Sequence, residues 1–333
     1  MRGRGAAVIT GCTDGIGIPT LEALLLAGFD RVFHLCRNLR KAASVTKRLR
    51  RRLGASLVDA RLVTIRTSLD DLASVRAAAV TVDEQTGAAG VALLVCNAGI
   101  MMTPYAGTVQ GFEMQFGVNH VAHFVLSECL LPALRRAGDV QGPTRPARIV
   151  CVSSVMHASA AATPDGLRPE LFLFKPELRQ AYNRATAYGV SKLANALMAL
   201  ELDHRCRRLG WNVAAFSLMP GVIATGLFDS IPCGCLFANC ARPCLKSTGQ
   251  GAATTLFCAL APEALEHRGG YFEDCAFGHA SSKASSLENG ERLAQLTRDL
   301  VQAQFGSAKL PHKQIRRRRR RVQRNGAAFT ESL

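Results

Sequence analysis

Tryptophan occurs once in 333 residues, and aromatic side chains make up only 6% of the chain. That is too few for a repeat built on aromatic signatures, and no internal repeat is visible. Twelve cysteines fall below the density of a small disulfide scaffold. Most of them, such as Cys36, Cys96 and Cys151, sit in apolar runs, where a reduced thiol packs as a small hydrophobe. Met1 to Gly5 lead almost directly into Ala6–Ile9, without the apolar h-region of a secretory signal. A reducing, cytoplasmic setting is therefore expected. Long apolar runs are missing too. An uncharged run close to membrane-span length, Trp211–Phe228, is interrupted by Pro220-Gly221 and Thr225-Gly226, which an uncovered helix in lipid tolerates poorly. No transmembrane segment is expected.

What is present is ordinary for a globular chain: 48% apolar and 20% charged residues, which excludes a mainly disordered or collagen-like chain. The length suits one large α/β domain. The net charge of +16 is unevenly spread. Gly306–Leu333 holds nine Lys or Arg against one Glu, so this stretch carries +8. A further basic stretch runs from Arg37 to Arg52. The expected organisation is a domain over 1–305 and a flexible basic tail over 306–333. Arg316–Arg321 cannot belong to a packed core. It reads as a solvated tail; nuclear import, an anionic membrane surface and nucleic acid stand as alternative roles.

Short β-branched runs alternate with longer Ala/Leu-rich runs at helical spacing. The expected strands are Ala6–Thr10, Arg31–Cys36, Arg61–Arg66, Val91–Cys96, Arg148–Ser153, Asn212–Leu218 and Gly270–Phe272. The expected helices are Ile16–Leu26, Leu39–Leu53, Leu72–Thr86, Gly111–Leu134, Ala187–Arg208 and Gly251–Leu260. This alternation predicts a doubly wound α/β fold with a parallel sheet covered on both faces. Loops over 138–147, 158–185 and 229–246 interrupt it, and such loops at strand ends are where α/β sheets place substrates.

Two local patterns carry chemistry. Thr10-Gly11-Cys12-Thr13-Asp14-Gly15-Ile16-Gly17 joins the first strand to the first helix. Its glycines permit a tight turn and a close approach of backbone to a pyrophosphate, which the helix N-terminus then favours. Tyr188 and Lys192 are spaced i, i+4, so one helix face holds both. An ammonium beside a phenol stabilises the phenolate and brings its pKa toward the working range of an acid or base. Arg37 follows the second strand, where an acidic residue would bind the ribose 2′-hydroxyl of NAD. An Arg there, with Arg40 and Lys41 nearby, suits a 2′-phosphate. NADP(H) is expected, with NAD(H) the lesser alternative.

The spacing Gly-x-x-x-Gly-x-Gly over Gly11, Gly15 and Gly17 resembles that of the short-chain dehydrogenase/reductase family. Asn97-Ala98-Gly99, Asn119, Ser153-Ser154, Tyr188-x-x-x-Lys192 and Pro220-Gly221 with Thr225 match its motifs in order over residues 6 to 275. Details such as Ala98–Met102, Ser153–His157 and Ser191–Asn195 look like its retinol-dehydrogenase-like and WW-domain-oxidoreductase-like branch. The resemblance implies a single Rossmann-type domain with inserted substrate loops. It also implies hydride transfer between a nicotinamide and a carbonyl or alcohol carbon. Tyr188 would be the acid/base, Lys192 its partner and a ribose ligand, and Ser154 the residue that orients the substrate. Asn119 would hold a water connecting Lys192 to solvent, or serve as a helix kink. Cofactor-binding residues would be Gly11, Thr13, Asp14, Gly15, Ile16, Gly17, Arg37, Ser68, Leu69, Asn97, Ala98, Gly99, Tyr188, Lys192, Pro220, Gly221, Val222 and Thr225. His157 would line the substrate pocket, or be a loop residue with no role.

Ser68-Leu69 stands where the family commonly has Asp-Leu, with Asp70 able to substitute. The connection from Ser154 to Tyr188 spans 33 residues, longer than usual. The substrate implied is a lipophilic carbonyl or alcohol. By analogy, helix Gly111–Leu134 would pair with its copy in a homodimer. No metal is expected. Cys233, Cys235, Cys240 and Cys244 read as reduced thiols in an apolar lid, with zinc or acylation as alternatives, since the two CxxC knuckles of a structural zinc site are lacking. The competing class is a dinucleotide-sensing scaffold without turnover, whose basic tail binds nucleic acid or an acidic partner.

Overall fold

The computed structural model describes residues 4–159, 172–223 and 245–305. Thr225, the four cysteines of the expected lid and Arg316–Arg321 lie outside the described residues. The elements are β1 (Ala6–Thr10), α1 (Gly17–Leu26), β2 (Arg31–Cys36), α2 (Leu39–Leu53), α3 (Ala55–Arg61), β3 (Leu62–Arg66), α4 (Leu72–Thr86) and β4 (Val91–Cys96). Then come a single turn α5 (Met114–Phe116), a π-helical turn (Gly117–Val121), α6 (Ala122–Gln141), β5 (Ala147–Val152) and α7 (Arg184–Arg208). The chain continues through β6 (Val213–Met219), α8 (Thr248–Leu260), β7 (Tyr271–Glu273), β8 (Ala276–Phe277) and α9 (Leu287–Phe305).

The strands form one sheet in the order β3-β2-β1-β4-β5-β6-β7-β8. All neighbours are parallel except β7 and β8. The central strands β1 and β4 are buried along their whole length, which is why they read as unbroken apolar runs rather than alternating ones. Strand order reverses between β1 and β4, and the carboxyl ends of these two strands frame the crevice where such sheets bind ligands. In one layer α1 packs with α3 and α8; in the other α4 packs with α6, and α7 lies against β6 with α9 behind it.

Three expectations needed correction. The single helix Gly111–Leu134 is broken up: Gly111 is a turn residue with φ +77°, and a π turn separates α5 from α6. The expected loop over 138–147 is helical up to Gln141. The helix Leu287–Phe305 was not foreseen, because its described buried residues, Gly290, Leu293, Ala294, Thr297 and Val301, form a narrow stripe that is lost in a charged composition.

Helix α9 also bears on the expected homodimer. From Val121 to Leu134 no residue is exposed, because the chain covers this face itself. Thr297 hydrogen-bonds His120 at 3.2 Å, and the Arg298 guanidinium lies over Phe124 and 3.8 Å from Glu128. Nearby, the buried carboxylate of Asp203 joins α7 to β6 and to the turn before β7. It accepts from Ala215 N–H (3.2 Å), Arg268 Nε (2.7 Å) and Arg207 Nε (2.6 Å).

Candidate active site

The glycine turn is a cradle that side chains would fill. Gly11 has φ +76°, and a Cβ there would lie 2.7 Å from Ala98 Cα. A Cβ at Gly17 would lie 2.2 Å from the Gly11 carbonyl oxygen. At Gly15, also left-handed at φ +56°, the N–H donates to Asp14 Oδ1 at 2.7 Å. Helices α2, α4, α7 and α8 are each capped by a side chain, from Asn38, Asp71, Asn183 and Ser247. Helix α1 has no side-chain cap. Its first N–H groups, with the positive end of the helix dipole, remain available to an anion. Room made by glycine and unspent donors together fit the pyrophosphate of a dinucleotide.

Asn97-Ala98-Gly99 sits directly across the crevice. The Asn97 side chain donates to the carbonyls of Thr10 (2.9 Å) and Gly11 (3.2 Å), tying the end of β4 to the turn. Ser68 and Leu69 are half-buried beyond β3, and the Ser68 hydroxyl donates to Asp70, so the two candidates for the adenine edge form one unit. Arg37 is exposed at the end of β2. Pro220, Gly221 and Val222 follow β6 on the far side, with Gly221 at φ +91°. Because the strands are parallel, these candidates all lie at the carboxyl edge of the sheet; Thr225 lies outside the described residues.

Below the crevice stand Ser154, Tyr188 and Lys192. Tyr188 and Lys192 are both buried on α7, with the ammonium 5.5 Å from the phenol ring centroid. Lys192 Nζ donates to the Val152 carbonyl at 3.0 Å, and a Cβ at Gly99 would lie 3.3 Å from it. The two serines divide the work. Ser153 is buried and donates to the Lys192 carbonyl at 2.7 Å, a structural bond. Ser154 is half-buried, its Oγ accepts from Met156 N–H at 3.2 Å, and it is close enough to the Tyr188 phenol to pull its pKa downward.

The electrostatics differ from the expectation of an ammonium-lowered phenol. Burial pushes the Tyr188 phenol up to about 12, against a downward pull from the Ser154 hydrogen bond. Burial also brings Lys192 down to about 8. Both groups are driven toward their neutral forms, since desolvation penalises whichever form is charged.

Asn119 lies in the π turn, where the Ala122 N–H reaches back to the Gly117 carbonyl. Its side chain is fully committed: Oδ1 accepts from Ile100 N–H at 2.8 Å, and Nδ2 donates to the Ile100 carbonyl and to Ser191 Oγ, both at 2.9 Å. Asn119 therefore fixes the loop after Gly99, and only its backbone carbonyl remains for a relay. His157 does not stand open to a substrate. It is buried, with Nδ1 2.7 Å from the Ser154 carbonyl and Nε2 accepting from Ser281 N–H at 3.0 Å.

Sequence reasoning passed over Thr10 and His123. The Thr10 hydroxyl accepts from the backbone N–H groups of Asn97 (3.1 Å) and Ala98 (3.0 Å) and meets His123 Nε2 at 2.9 Å. The spacing of Asn119 and His123, one helical turn, was the available signal. Among the described residues, no cluster of His, Cys, Asp or Glu is placed to hold a metal ion, and no helix is long and apolar enough to cross a membrane.

A family model described as short chain dehydrogenase matches residues 5–163. The chain is 35% identical over 300 residues to retinol dehydrogenase 12 of Mus musculus, covering 90% of this chain and 86% of that protein. It is 35% identical over 304 residues to the WW domain-containing oxidoreductase of Pongo abelii, covering 90% and 69%. Among solved structures, an uncharacterized protein from Mycobacterium Paratuberculosis superposes with a TM-score of 0.64 at 28% identity, covering 90% of this chain and 94% of that one.

Proposed function

The chain belongs to the short-chain dehydrogenase family, in its retinol-dehydrogenase-like branch, and on that footing we propose an NADP(H)-dependent reductase of lipophilic carbonyls such as retinal. Oxidoreductase chemistry on an alcohol or carbonyl follows from the family; the cofactor choice, direction and residue roles are our reading. The observation that carries it is the convergence of Ser154, Tyr188 and Lys192 beneath a glycine cradle and an uncapped helix.

When bound, the dinucleotide supplies or accepts the hydride. Gly11–Gly17 and the free N–H groups of α1 would hold its pyrophosphate, and Asn97–Gly99 with Pro220–Val222 would flank it. Arg37, Arg40 and Lys41 are exposed at the end of β2 and the start of α2, a site that favours a 2′-phosphate. Tyr188, held neutral at physiological pH by burial, is a proton donor, so it would protonate the oxygen of a carbonyl. Ser154 would orient that oxygen. Lys192, at about 8, can give a proton back toward Tyr188 within the physiological range. Carbonyl reduction starts from this neutral phenol, whereas alcohol oxidation would need the phenolate that burial disfavours.

Calorimetric titration with NADPH and NADH tests the cofactor. Tight NADPH and weak NADH are expected; the reverse preference removes the role of Arg37, and binding of neither removes the enzyme reading. Retinal turnover should fall by about 10²-fold or more in Tyr188→Phe, the usual scale of a positioned general acid. Undiminished turnover in that variant would refute the mechanism.

A further inference from the structure

One buried chain of hydrogen bonds joins the cofactor side of the site to the catalytic side, and its proton positions can be deduced. Thr10 Oγ1 lies near three groups: Asn97 N, Ala98 N and His123 Nε2, at 3.1, 3.0 and 2.9 Å. The first two are backbone N–H donors, so they occupy both lone pairs of the hydroxyl. Its single hydrogen must then point at His123 Nε2, which therefore carries none. The ring proton of His123 is on Nδ1, 2.9 Å from the Asn119 carbonyl oxygen, to which it donates. Every polar atom of the ring and the hydroxyl is spent, and Thr10, Asn119 and His123 are all fully buried. Burial holds His123 down at about 4; the bond to the Asn119 carbonyl opposes this and the Lys192 charge reinforces it. The other titratable group beside it, His120, is held neutral at about 3.

We propose that His123 is a positioning residue that couples two functions through one fixed tautomer. Through Nε2 it anchors Thr10, and with it the Asn97–Ala98 backbone against which a dinucleotide would lie. Through Nδ1–H it holds the Asn119 carbonyl, the acceptor that would hold a water connecting Lys192 to solvent. The π turn at 117–121 is where the helix departs from regular phase, as π turns at functional sites often do, and it carries this carbonyl. The inference rests on the function proposed above and adds a residue outside the Ser154–Tyr188–Lys192 set.

The two ring nitrogens can be separated by substitution, since a Gln side chain reaches the region of Nε2 and an Asn side chain that of Nδ1. His123→Gln should keep NADPH affinity within about threefold of wild type, because the Thr10 bond survives, while kcat falls by about tenfold and the alkaline limb of its pH profile moves, a loss typical of one buried hydrogen bond. His123→Asn should do the opposite, weakening NADPH binding by about tenfold with the pH profile in place. Thr10→Val should repeat the Asn phenotype. NADPH affinity is read by calorimetry, turnover with retinal or the fastest-reduced aldehyde of a carbonyl panel, and folding by Tm. Losses that track Tm equally in both His123 variants, or failure of both to fold, would make the ring merely structural and overturn the proposal. Nitrogen-15 shifts showing a proton on Nε2 of the wild type would overturn it independently. If wild-type protein binds neither dinucleotide, the function falls and this inference with it; if it binds NADPH and the variants do not split, only the inference falls.

Discussion

At Lys192 the needs of chemistry and stability oppose each other. Its ammonium is buried, and its pKa drops from 10.5 to about 8. Between those values the unfolded chain holds the proton and the folded chain has lost it, so stability rises with pH across this window. Below about pH 8 the full cost of the buried charge is present. Lys192→Met should therefore raise stability at pH 7 by on the order of 3 kcal/mol, with the gain shrinking toward zero near pH 10.5, while abolishing turnover. Urea denaturation at pH 7 and pH 10 measures both points; equal differences at the two would show that the charge is not what is removed. The Val152 carbonyl keeps a donor in this variant, Asn195 Nδ2 at 3.1 Å, so no new orphan offsets the gain. The spacing of Tyr188 and Lys192 made the pair legible in the sequence. The sign of their pKa shifts was not, because burial comes from Val152, Gly99 and Asn119, which reach the pair from other elements.

At the scale of elements, Asp203 is the hub most exposed to a single change. It is buried and binds two guanidiniums from different elements. Asp203→Ala would strand Arg268 and the Ala215 N–H, and removing one partner of a buried ion pair costs about 3–5 kcal/mol. A chemical-denaturation midpoint should drop accordingly, and a loss under about 1 kcal/mol would show that water replaces the carboxylate. How much was legible depended on the element. β1, β2 and β4 were bounded correctly because apolar runs in a buried parallel sheet end where the sheet ends, and α2 and α4 because Asn38 and Asp71 cap them. Of the π turn only a kink at Asn119 was legible: the bonds that hold Asn119 there run to Ile100 and Ser191, far away in sequence. β8 is only two residues long, below what alternation can mark.

For the whole molecule, three buried histidines set the response to acid. His34, His120 and His123 are lowered by burial to about 4, 3 and 4 from 6.5. Below pH 6.5 the unfolded chain takes up protons that the folded chain refuses, so stability falls as pH drops through this window. Glu113 and Glu201, raised by burial, act in the opposite sense. His34 isolates the effect, since neither ring nitrogen has a partner. His34→Leu should stabilise the protein, and by about 2 kcal/mol more at pH 5 than at pH 7; a pH-independent difference would mean that the ring is solvated. The long reach of α9 has a consequence for biogenesis. The face around His120, Phe124 and Glu128, already met on one side by Arg205 of α7, takes the rest of its cover from Thr297 and Arg298. A nascent chain emerging from the ribosome can assemble the sheet, yet it leaves the part of this surface that Thr297 and Arg298 cover bare until those residues are synthesised. Premature termination anywhere before residue 287 would therefore yield a chain prone to capture by chaperones rather than a smaller working protein.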